Sequence, residues 1–246
     1  MNTRVSEWIE NLFKTGLALF LLLVISATLV HAVPTGPSIT YNKTETANLT
    51  PATQITTQGG SFTTLVLNAT TQTPRWKAYA GNVTGKLILD DSTKKSIYDW
   101  TVTSVTGEVY ATRNSSIDWS TIGCADTGAI LAEQNSLNMS ASNADSLNAT
   151  FINKVHKSFY VGTALIQNST CYAIATYVND AAQSSSENAK FQEILLKDGS
   201  SRVVYATLIN QNTTGFNGLK YDFQMIVPEN EFSATPTTYY LYAELI

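Results

Sequence analysis

Residues 237–246 read TTYYLYAELI, and large side chains alternate along this stretch. An extended strand would place one set on each face: Tyr239, Leu241, Ala243 and Leu245 on the first, and Tyr240, Tyr242, Glu244 and Ile246 on the second. Successive side chains of a β-strand point to opposite faces, so the pattern predicts a strand. We expect this strand to be bound in a sheet or kept for a partner.

The same alternation continues upstream, in short runs separated by Gly, Asp, Asn and Ser, which favour turns. Strands are predicted at 61–68, 75–80, 83–89, 96–102, 107–113, 158–166, 171–178, 191–196, 202–210 and 220–227. Half-buried antiparallel sheets give this signature. The predicted fold class is therefore mainly β, an antiparallel β-sandwich of jelly-roll-like type, and Trp100 is expected to anchor its core.

Composition divides the region after the leader into an arm and a domain. Residues 33–58 contain few large apolar side chains, which predicts an extended N-terminal arm. Residues 59–246 form the predicted β-sandwich domain. Around 124–153 the chain is richer in Ala, Leu, Glu and Gln, so a small helical insertion is expected, with helices at 127–137 and 143–152. Asp126 or Thr127 would cap the first helix.

An uncharged apolar run, GLALFLLLVISATLVHA, occupies residues 16–32 and is followed by Pro34 and Pro37, which disfavour a helix. The preceding Arg4 and Lys14, together with the small or apolar residues at the end of the run, predict a signal peptide over residues 1–32. A retained membrane anchor and a pilin-like leader cut near Lys14 are the alternatives. Each of them predicts export to the cell surface or beyond, with membrane contact only through the leader.

Nine Asn-x-Ser/Thr sequons follow the leader, at Asn42, Asn48, Asn68, Asn82, Asn114, Asn138, Asn148, Asn168 and Asn212. A chain rich in Ser, Thr and Asn produces some of these by chance. Nine together favour a glycosylated surface protein carrying N-linked glycans.

The chain has two cysteines, Cys124 and Cys171. In an oxidising compartment one disulfide is expected, and closing that loop would stabilise the fold by roughly 4 kcal/mol in the chain-entropy model. Two buried free thiols are the alternative.

Catalytic motifs are absent from the sequence, which has no G-x-S-x-G, HExxH, P-loop or dinucleotide-binding pattern. His156 is the only histidine after the leader and reads as part of a solvated strand entry, so the protein is not expected to be an enzyme. A glycosidase-type carboxylate pair would come from Asp99, Glu108, Asp118, Glu193, Asp222 and Glu244, among which nothing singles out two.

Composition also limits the classes of ligand that the protein is expected to bind. Lys and Arg are scattered along a chain of net charge −4, which argues against nucleic acid. No cofactor is predicted, and calcium alone has weak support from acids and amides in turns, at Asp90, Asp91, Asn179, Asp180 and Asp198. Trp76, Trp100, Trp119 and the tyrosines would form either core or a sugar-binding platform.

One internal similarity stands out. Ile88-Leu89-Asp90-Asp91 with Ile97-Tyr98 matches Leu195-Leu196-Lys197-Asp198 with Val204-Tyr205 at a constant separation of 107 residues (195 − 88). Each reads as strand, Asp-containing turn, strand. A duplicated β unit and two unrelated hairpins with the same turn chemistry both fit.

Several stretches carry a resemblance to known proteins: GNVTGKLILDD (81–91), SIYDW (96–100), TGEVYATRN (106–114), SFYVG (158–162), YVND (177–180), YDFQMIVPEN (221–230) and TTYYLYAEL (237–245). They resemble secreted, β-rich, sequon-bearing archaeal cell-surface proteins. The whole architecture is also similar to TasA-like archaeal and bacterial filament subunits. That likeness implies polymerisation by donation of a strand to the neighbouring subunit.

The sequence therefore predicts an exported structural protein, a subunit of an extracellular filament or surface layer and a homo-oligomer or homopolymer. Ile39 and Tyr41 in the arm would form the donor strand, and the edge carrying Tyr239, Leu241, Ala243 and Leu245 would be the acceptor. The alternatives are a monomeric carbohydrate-binding or adhesion module, a secreted hydrolase, and a type IV pilin-like subunit that retains the apolar helix.

Overall fold

The computed structural model describes residues 33–246, so the predicted signal peptide lies outside the described residues. The strands, numbered along the chain, are β1 (Trp76–Gly81), β2 (Lys86–Asp90), β3 (Ser96–Thr101), β4 (Gly107–Thr112), β5 (Gly123–Cys124), β6 (Phe159–Val161), β7 (Ala164–Ile166), β8 (Ala173–Ala175), β9 (Gln192–Lys197), β10 (Val203–Leu208), β11 (Thr213–Thr214), β12 (Lys220–Tyr221), β13 (Phe223–Pro228) and β14 (Tyr240–Leu245). The α-helices are Thr127–Ser136 and Leu147–Thr150, and a 3-10 turn covers Trp119–Thr121.

A six-stranded antiparallel sheet forms the centre of the fold. Its order is β14-β4-β10-β9-β5, and β8 also pairs with β9, beside β5. Strands β9 and β10 are buried at nearly every position. Strands buried on both faces need cover on both sides, and their apolar runs supply the matching surfaces.

Different elements cover the two faces of this sheet. On one face, Val109, Leu195 and Tyr205 share a core with Met225 of the β1–β13 pair and Phe151 of the helical insertion. On the other face, residues of β9 and β10 pack against the β6–β7 hairpin and the disulfide, in a second core. The chain is thus mainly β, with sandwich-like packing of antiparallel sheets and a small helical insertion, and the predicted fold class is confirmed.

On the side of β13 that does not pair with β1, buried side chains form hydrogen bonds with its backbone. Ile226 N–H donates to the Glu193 carboxyl at 2.9 Å, and the Thr207 hydroxyl donates to Gln224 C=O at 2.8 Å. Glu193 and Thr207 are fully buried. Since an open backbone group in a core is costly, these polar residues on otherwise apolar strands have a structural reason.

The helical insertion follows the predicted local chemistry. Asp126 caps the helix Thr127–Ser136, because its carboxylate accepts a hydrogen bond from Ala129 N–H at 2.8 Å. Arg113, just after β4, donates two bonds of 2.7 Å to Glu133 and ties this helix to the sheet. The prediction for the second helix was too long, since only Leu147–Thr150 is helical.

Cys124 and Cys171 form a disulfide, as expected, with their Cα atoms 4.9 Å apart. Cys124 ends β5, and Cys171 lies just before β8. Both strands pair with the same side of β9, β5 near its end and β8 near its beginning. The bridge therefore fastens the junction of two short strands that together cover one edge of the central sheet.

Two strand predictions and one core prediction were also wrong. Residues 61–68 form no strand, because no described strand pairs with them. The predicted strand 158–166 is a hairpin, β6–β7, which turns at Gly162 with φ of 55°. Trp100 is 49% exposed and does not anchor a core, because every position of its hairpin is exposed. Among the residues described, no helix is both long and apolar enough to span a bilayer.

Candidate assembly surface

The last strand, β14, is an edge strand of the central sheet. It pairs with β4 on one side, with Tyr242 opposite Tyr110. On the other side Ala243 exchanges both backbone hydrogen bonds with Thr35, at 3.0 and 2.8 Å. Hydrogen-bonding directions alternate along a strand, so Leu241 and Leu245 point their N–H and C=O groups the same way as Ala243. No other backbone group within residues 33–246 pairs with this side of β14.

The sequence-predicted acceptor residues thus lie on an edge strand or next to it. Tyr239, Leu241 and Leu245 pack their side chains against the first core, while their backbone runs along the sheet edge. Side-chain alternation alone predicted the strand. Its position at the edge follows only from the order of the sheet.

The arm, residues 33–58, meets the domain at its start. Pro34 is buried and Thr35 forms the bridge to β14, whereas residues 36–58 are exposed and form no hydrogen bond with any described residue after 58 other than Ser61. Ile39 and Tyr41, the predicted donor residues, are 66% and 78% exposed. The structure therefore brings the arm, but not these two side chains, to the predicted acceptor edge.

A second unpaired stretch follows the arm. We call Ser61–Asn68 the free segment; it reads SFTTLVLN and is exposed throughout. Phe62, Val66 and Leu67 are each at least 85% exposed. Contiguous apolar side chains that are this exposed are typical of interaction sites or of surfaces prone to aggregate.

The β2–β3 pair, here called the outer hairpin, is also exposed at every position. Leu87 lies opposite Trp100, and Leu89 lies opposite Tyr98, so these four side chains share one face. Tyr98 and Trp100 contact each other edge to face, with centroids 4.9 Å apart. The opposite face is more polar and carries the Lys86–Asp99 ion pair.

The base of the outer hairpin adjoins the end of β14. Gly85, at the base of the outer hairpin, lies so close to the end of β14 that an added Cβ would overlap Leu245 Cδ1. A cleft of about 450 Å³ opens at this base, and Val83, Val102 and Val105 line its apolar part. The carboxylate at its rim, Asp222, is already used, because it accepts hydrogen bonds from Val83 N–H and Asn212 N–H at 2.8 and 2.7 Å.

Of the acids considered for a catalytic pair, the sheet brings together Glu108 and Glu244, which lie directly opposite each other on β4 and β14. Both are buried. Burial, and then the neighbouring Glu244 carboxyl, raises the pKa of Glu108 to about 9. Glu244 accepts hydrogen bonds from Gly162 N–H and Tyr110 O–H. Protein covers both groups, and through these two bonds Glu244 links β14 to β4 and to the β6–β7 turn.

His156 was predicted in a solvated strand entry, and this was wrong. It is fully buried, its Nε2 accepts hydrogen bonds from Thr170 N–H and Cys171 N–H, and its Nδ1 faces Lys157 C=O at 2.9 Å. Burial lowers the pKa of its imidazole. A neutral ring therefore holds the chain beside the disulfide, an arrangement that no local sequence signal indicated.

Three of the turn acids considered for calcium, Asp90, Asp91 and Asp198, accept hydrogen bonds within their own hairpins. Asp91 and Asp198 accept hydrogen bonds from the N–H groups that follow them, and Asp198 also pairs with Arg202 at 2.7 Å. Within residues 33–246 there is no group of three or more His, Cys, Asp or Glu side chains arranged to hold a metal ion.

Two of the three tryptophans considered for a sugar platform pack inside the domain. Trp76 donates to Asp145 C=O at 2.6 Å and contacts Phe151, and Trp119 lies between Tyr110 and Tyr242. Trp100 is the exception, on the outer hairpin.

Seven of the nine sequon asparagines are exposed, and Asn114 and Asn148 are half-buried. Asn148 Oδ1 is buried with no hydrogen-bond partner among the described residues. The exposed seven are therefore the accessible candidates for glycosylation.

Sequence reasoning missed the exposure of the outer hairpin. The signal that bears on it is the internal similarity at 107 residues, which predicts a hairpin but not its surroundings.

Comparison of the chain with protein-family models, with curated proteins and with solved structures finds no match in any of the three.

Proposed function

We propose that this protein is an exported structural protein, a subunit of an extracellular filament or surface layer whose copies join by β-strand addition. The arm of one copy would be the donor, and the β14 edge of the next copy would be the acceptor. The observation that supports this most is the Thr35–Ala243 bridge, a single pair of backbone bonds between the arm and an edge that is otherwise unpaired within residues 33–246.

The chain's own arm is poorly suited to occupy more of this edge. Continuing the register of Thr35 opposite Ala243 would bring Pro37 opposite Leu241. Proline has no N–H, so the ladder would lose a bond there. Residues 38–41 of another copy, SITY, carry no proline and would pair in their own register.

An added strand has two sources of stability. It satisfies the row of N–H and C=O groups along β14, and it buries Ile39 or Tyr41 against the neighbouring subunit. Burying one large apolar side chain contributes about 1.5–3 kcal/mol before the entropy of ordering the arm is subtracted.

Export is part of the proposal. The apolar leader, the disulfide and the sequons support it together, since disulfides and N-linked glycans belong to oxidising or extracellular compartments. The seven exposed sequon asparagines would place glycans on the surface of the assembled material.

The test is electron microscopy of material secreted by cells that express the full chain, combined with a point variant of the edge. Ala243→Pro removes the outward N–H of Ala243, while the pairing of Tyr242 and Glu244 with β4 uses the other side of the strand. We expect wild type to form ordered polymers and Ala243→Pro to remain a folded, unassembled subunit. Ala243→Val, which keeps the N–H, is the matched control and is expected to polymerise.

Deletion of residues 33–57 is the reciprocal test. The truncated chain should fold but not polymerise, and a synthetic peptide of residues 33–57 should bind to it but not to the truncated Ala243→Pro chain. Normal assembly of the truncated chain would rule out the arm as donor, and wild-type material that consists only of monomers would rule out the proposed function.

One observation favours a second candidate, a carbohydrate-binding module. Tyr98 and Trp100 are aromatic, adjacent and half-exposed on the outer hairpin. Glycan-array binding that Trp100→Ala abolishes would support this function in place of the first.

A further inference from the structure

The chain between the helical insertion and β8 turns back on itself as a loop, here called the β6–β7 loop (residues 153–173). Its two ends meet where Ala173 N–H donates to Asn153 C=O at 2.8 Å. The next contact inward is made by His156, whose C=O accepts a hydrogen bond from Ser169 N–H at 3.0 Å. His156 therefore lies at the base of a loop whose hairpin, β6–β7, covers the second core.

The hydrogen bonds of the His156 ring fit only one protonation state. Nε2 faces two donors, the N–H groups of Thr170 and Cys171, at 3.2 and 3.0 Å, so it must accept. Nδ1 lies 2.9 Å from Lys157 C=O, which can only accept, so Nδ1 carries the proton. The residue is fully buried. The neutral Nδ1–H form of the ring thus closes the base of the β6–β7 loop.

A second proton would break this arrangement. It would sit on Nε2 and point at two N–H groups, so both bonds to the returning chain would be lost and a charge would be buried. Burial lowers the pKa of the His156 imidazole, against the smaller opposing effects of Lys157 C=O and the Glu187 carboxylate. The closed loop therefore disfavours the imidazolium form.

The charged groups around the ring do not compensate for that cost. Glu187, on the chain that leads to β9, is the carboxylate that acts on the imidazole, and its own side chain is exposed. Lys154 and Lys157, on the same segment as the ring, are exposed and positively charged. Strands β6 and β9 meet this segment with the uncharged side chains of Phe159 and Gln192.

We propose that His156 is an acid-sensitive latch: the neutral ring closes the base of the β6–β7 loop, and its protonation releases Thr170 and Cys171 and opens the loop while the central sheet stays folded. The disulfide holds Cys171 beside β5 when the base opens, so the loop can close again once the proton leaves. Histidine suits this role because its unperturbed pKa lies close to neutral pH. The latch lies within one subunit and does not depend on how copies join.

The direction of the pH effect follows from the two states of the ring. In the open loop the imidazole meets water and takes its ordinary pKa of 6.5, whereas burial lowers the pKa in the closed loop. Opening therefore binds a proton below pH 6.5. The open fraction should rise by up to about tenfold for each unit of pH, until the pKa of the closed loop is reached.

Hydrogen exchange at single amides of the full chain, followed by NMR, measures this opening. The amides of Thr170 and Cys171 report on the base of the loop, and those of Val204 and Tyr205 in β10 report on the central sheet. Each rate is divided by the intrinsic rate at the same pH. Between about pH 6.5 and about pH 5 we expect protection at the base to fall by up to about tenfold per unit, with a smaller change in β10.

Two variants separate the ring from its neighbouring carboxylate. His156→Gln keeps an uncharged donor and acceptor but cannot titrate, so protection at Thr170 and Cys171 should no longer fall over this range. Glu187→Gln is the matched control, because it removes the nearby carboxylate and keeps the histidine, and it should retain the fall.

The imidazole of the wild-type chain provides a test that needs no variant. Its nitrogen chemical shifts should show a neutral Nδ1–H ring at pH 6.5, with protonation and loss of amide protection occurring together at lower pH. Any one of four results would overturn the latch: protection at the base that does not depend on pH, the same fall in His156→Gln, an equal fall in β10, or an imidazolium ring that leaves Thr170 and Cys171 protected.

Discussion

The β9–β10 pair, here called the inner hairpin, and the outer hairpin share a sequence pattern and a turn but differ in their surroundings. Leu196 and Leu89 are equivalent residues, separated by 107 positions, yet Leu196 is fully buried and Leu89 is 55% exposed. Tyr205 and Tyr98 differ in the same way, at 0% and 60%. The inner hairpin has a strand on each side and a core on each face.

This difference shows that a hairpin and its burial have separate causes. The Asp-containing turn is local, so both sequences fold into a hairpin with the same turn. A register shift between Leu89 and Asp90 then moves the pairing of the outer hairpin by one residue, so that Leu89 lies opposite Tyr98 while Leu196 lies opposite Val204. Burial depends on which other segments lie close, and a short hairpin alone has little stability in water. The outer hairpin therefore has the turn of the inner hairpin without the strands and the cores that bury it.

The largest expected effect comes from truncating the equivalent leucines. Leu196→Ala removes a buried side chain between two layers and should lower the free energy of unfolding by about 2–5 kcal/mol. Leu89→Ala, at an exposed position, should change it by less than about 0.5 kcal/mol in the isolated subunit. Chemical denaturation of both variants checks the comparison, and equal losses would show that the outer hairpin is packed in the monomer.

The disulfide should have a comparable but somewhat smaller effect, because it fastens the strands that cover β9. Replacing both cysteines by alanine is expected to lower the free energy of unfolding by about 2–4 kcal/mol. Wild type under reducing conditions is the control and should match the variant. If oxidised and reduced protein unfold at the same denaturant concentration, the bridge does not stabilise the inner hairpin.

The two turn aspartates should differ by less. Asp198 is buried and accepts hydrogen bonds from the turn and from Arg202, so Asp198→Ala should cost about 1–3 kcal/mol. Asp91 makes the same turn in solvent, and Asp91→Ala should cost less than about 1 kcal/mol. Thermal unfolding of the pair measures the difference, and a larger loss for Asp91→Ala would contradict our account.

The central sheet also contains a buried carboxyl group that should make the free energy of unfolding depend on pH. The central sheet encloses Glu108, whose pKa burial raises to about 9 from an ordinary value of 4.5. Between these values the folded chain holds a proton that the unfolded chain has released. The contribution of Glu108 to the free energy of unfolding should therefore be fully present below about pH 4.5 and should be lost as pH rises to about 9.

Glu108→Gln should remove this part of the pH dependence, and at acid pH it should change the free energy of unfolding least of all the variants here, because an amide replaces a neutral acid. Other groups keep their own pH dependence in the variant. Burial also raises the pKa of Glu193, whereas the lowered pKa values of His156 and Glu229 work in the opposite direction at acid pH. Denaturation of wild type and Glu108→Gln across the range decides the point, and parallel curves would contradict it.

Much of the fold was accessible to sequence reasoning because it depends on local patterns. The strand predicted at 107–113 is observed at Gly107–Thr112, and that predicted at 191–196 is observed at Gln192–Lys197. Asp126 caps its helix, and the two cysteines are paired. Each of these features needs only side-chain alternation, a capping residue or a residue count.

The errors share a cause, which is that they concern contacts between distant segments. Residues 61–68 have the pattern of a strand but no described strand beside them, and Trp100 has the pattern of a core residue on a hairpin that nothing described covers. His156 looks solvated in its local sequence, yet it accepts bonds from residues 170 and 171. Periodicity reports which face a side chain occupies and says nothing of what lies opposite.

By itself, the sequence determined a mainly β chain with a short helical insertion, a single disulfide, and two hairpins with the same turn. Only the tertiary structure decided that one hairpin is the centre of the central sheet and the other lies exposed beside its edge, and that β14 is an edge strand met by Thr35. The physical reason is the range of the forces. Turns and strand alternation are set within a few residues, whereas burial and sheet order depend on the packing of segments up to two hundred residues apart.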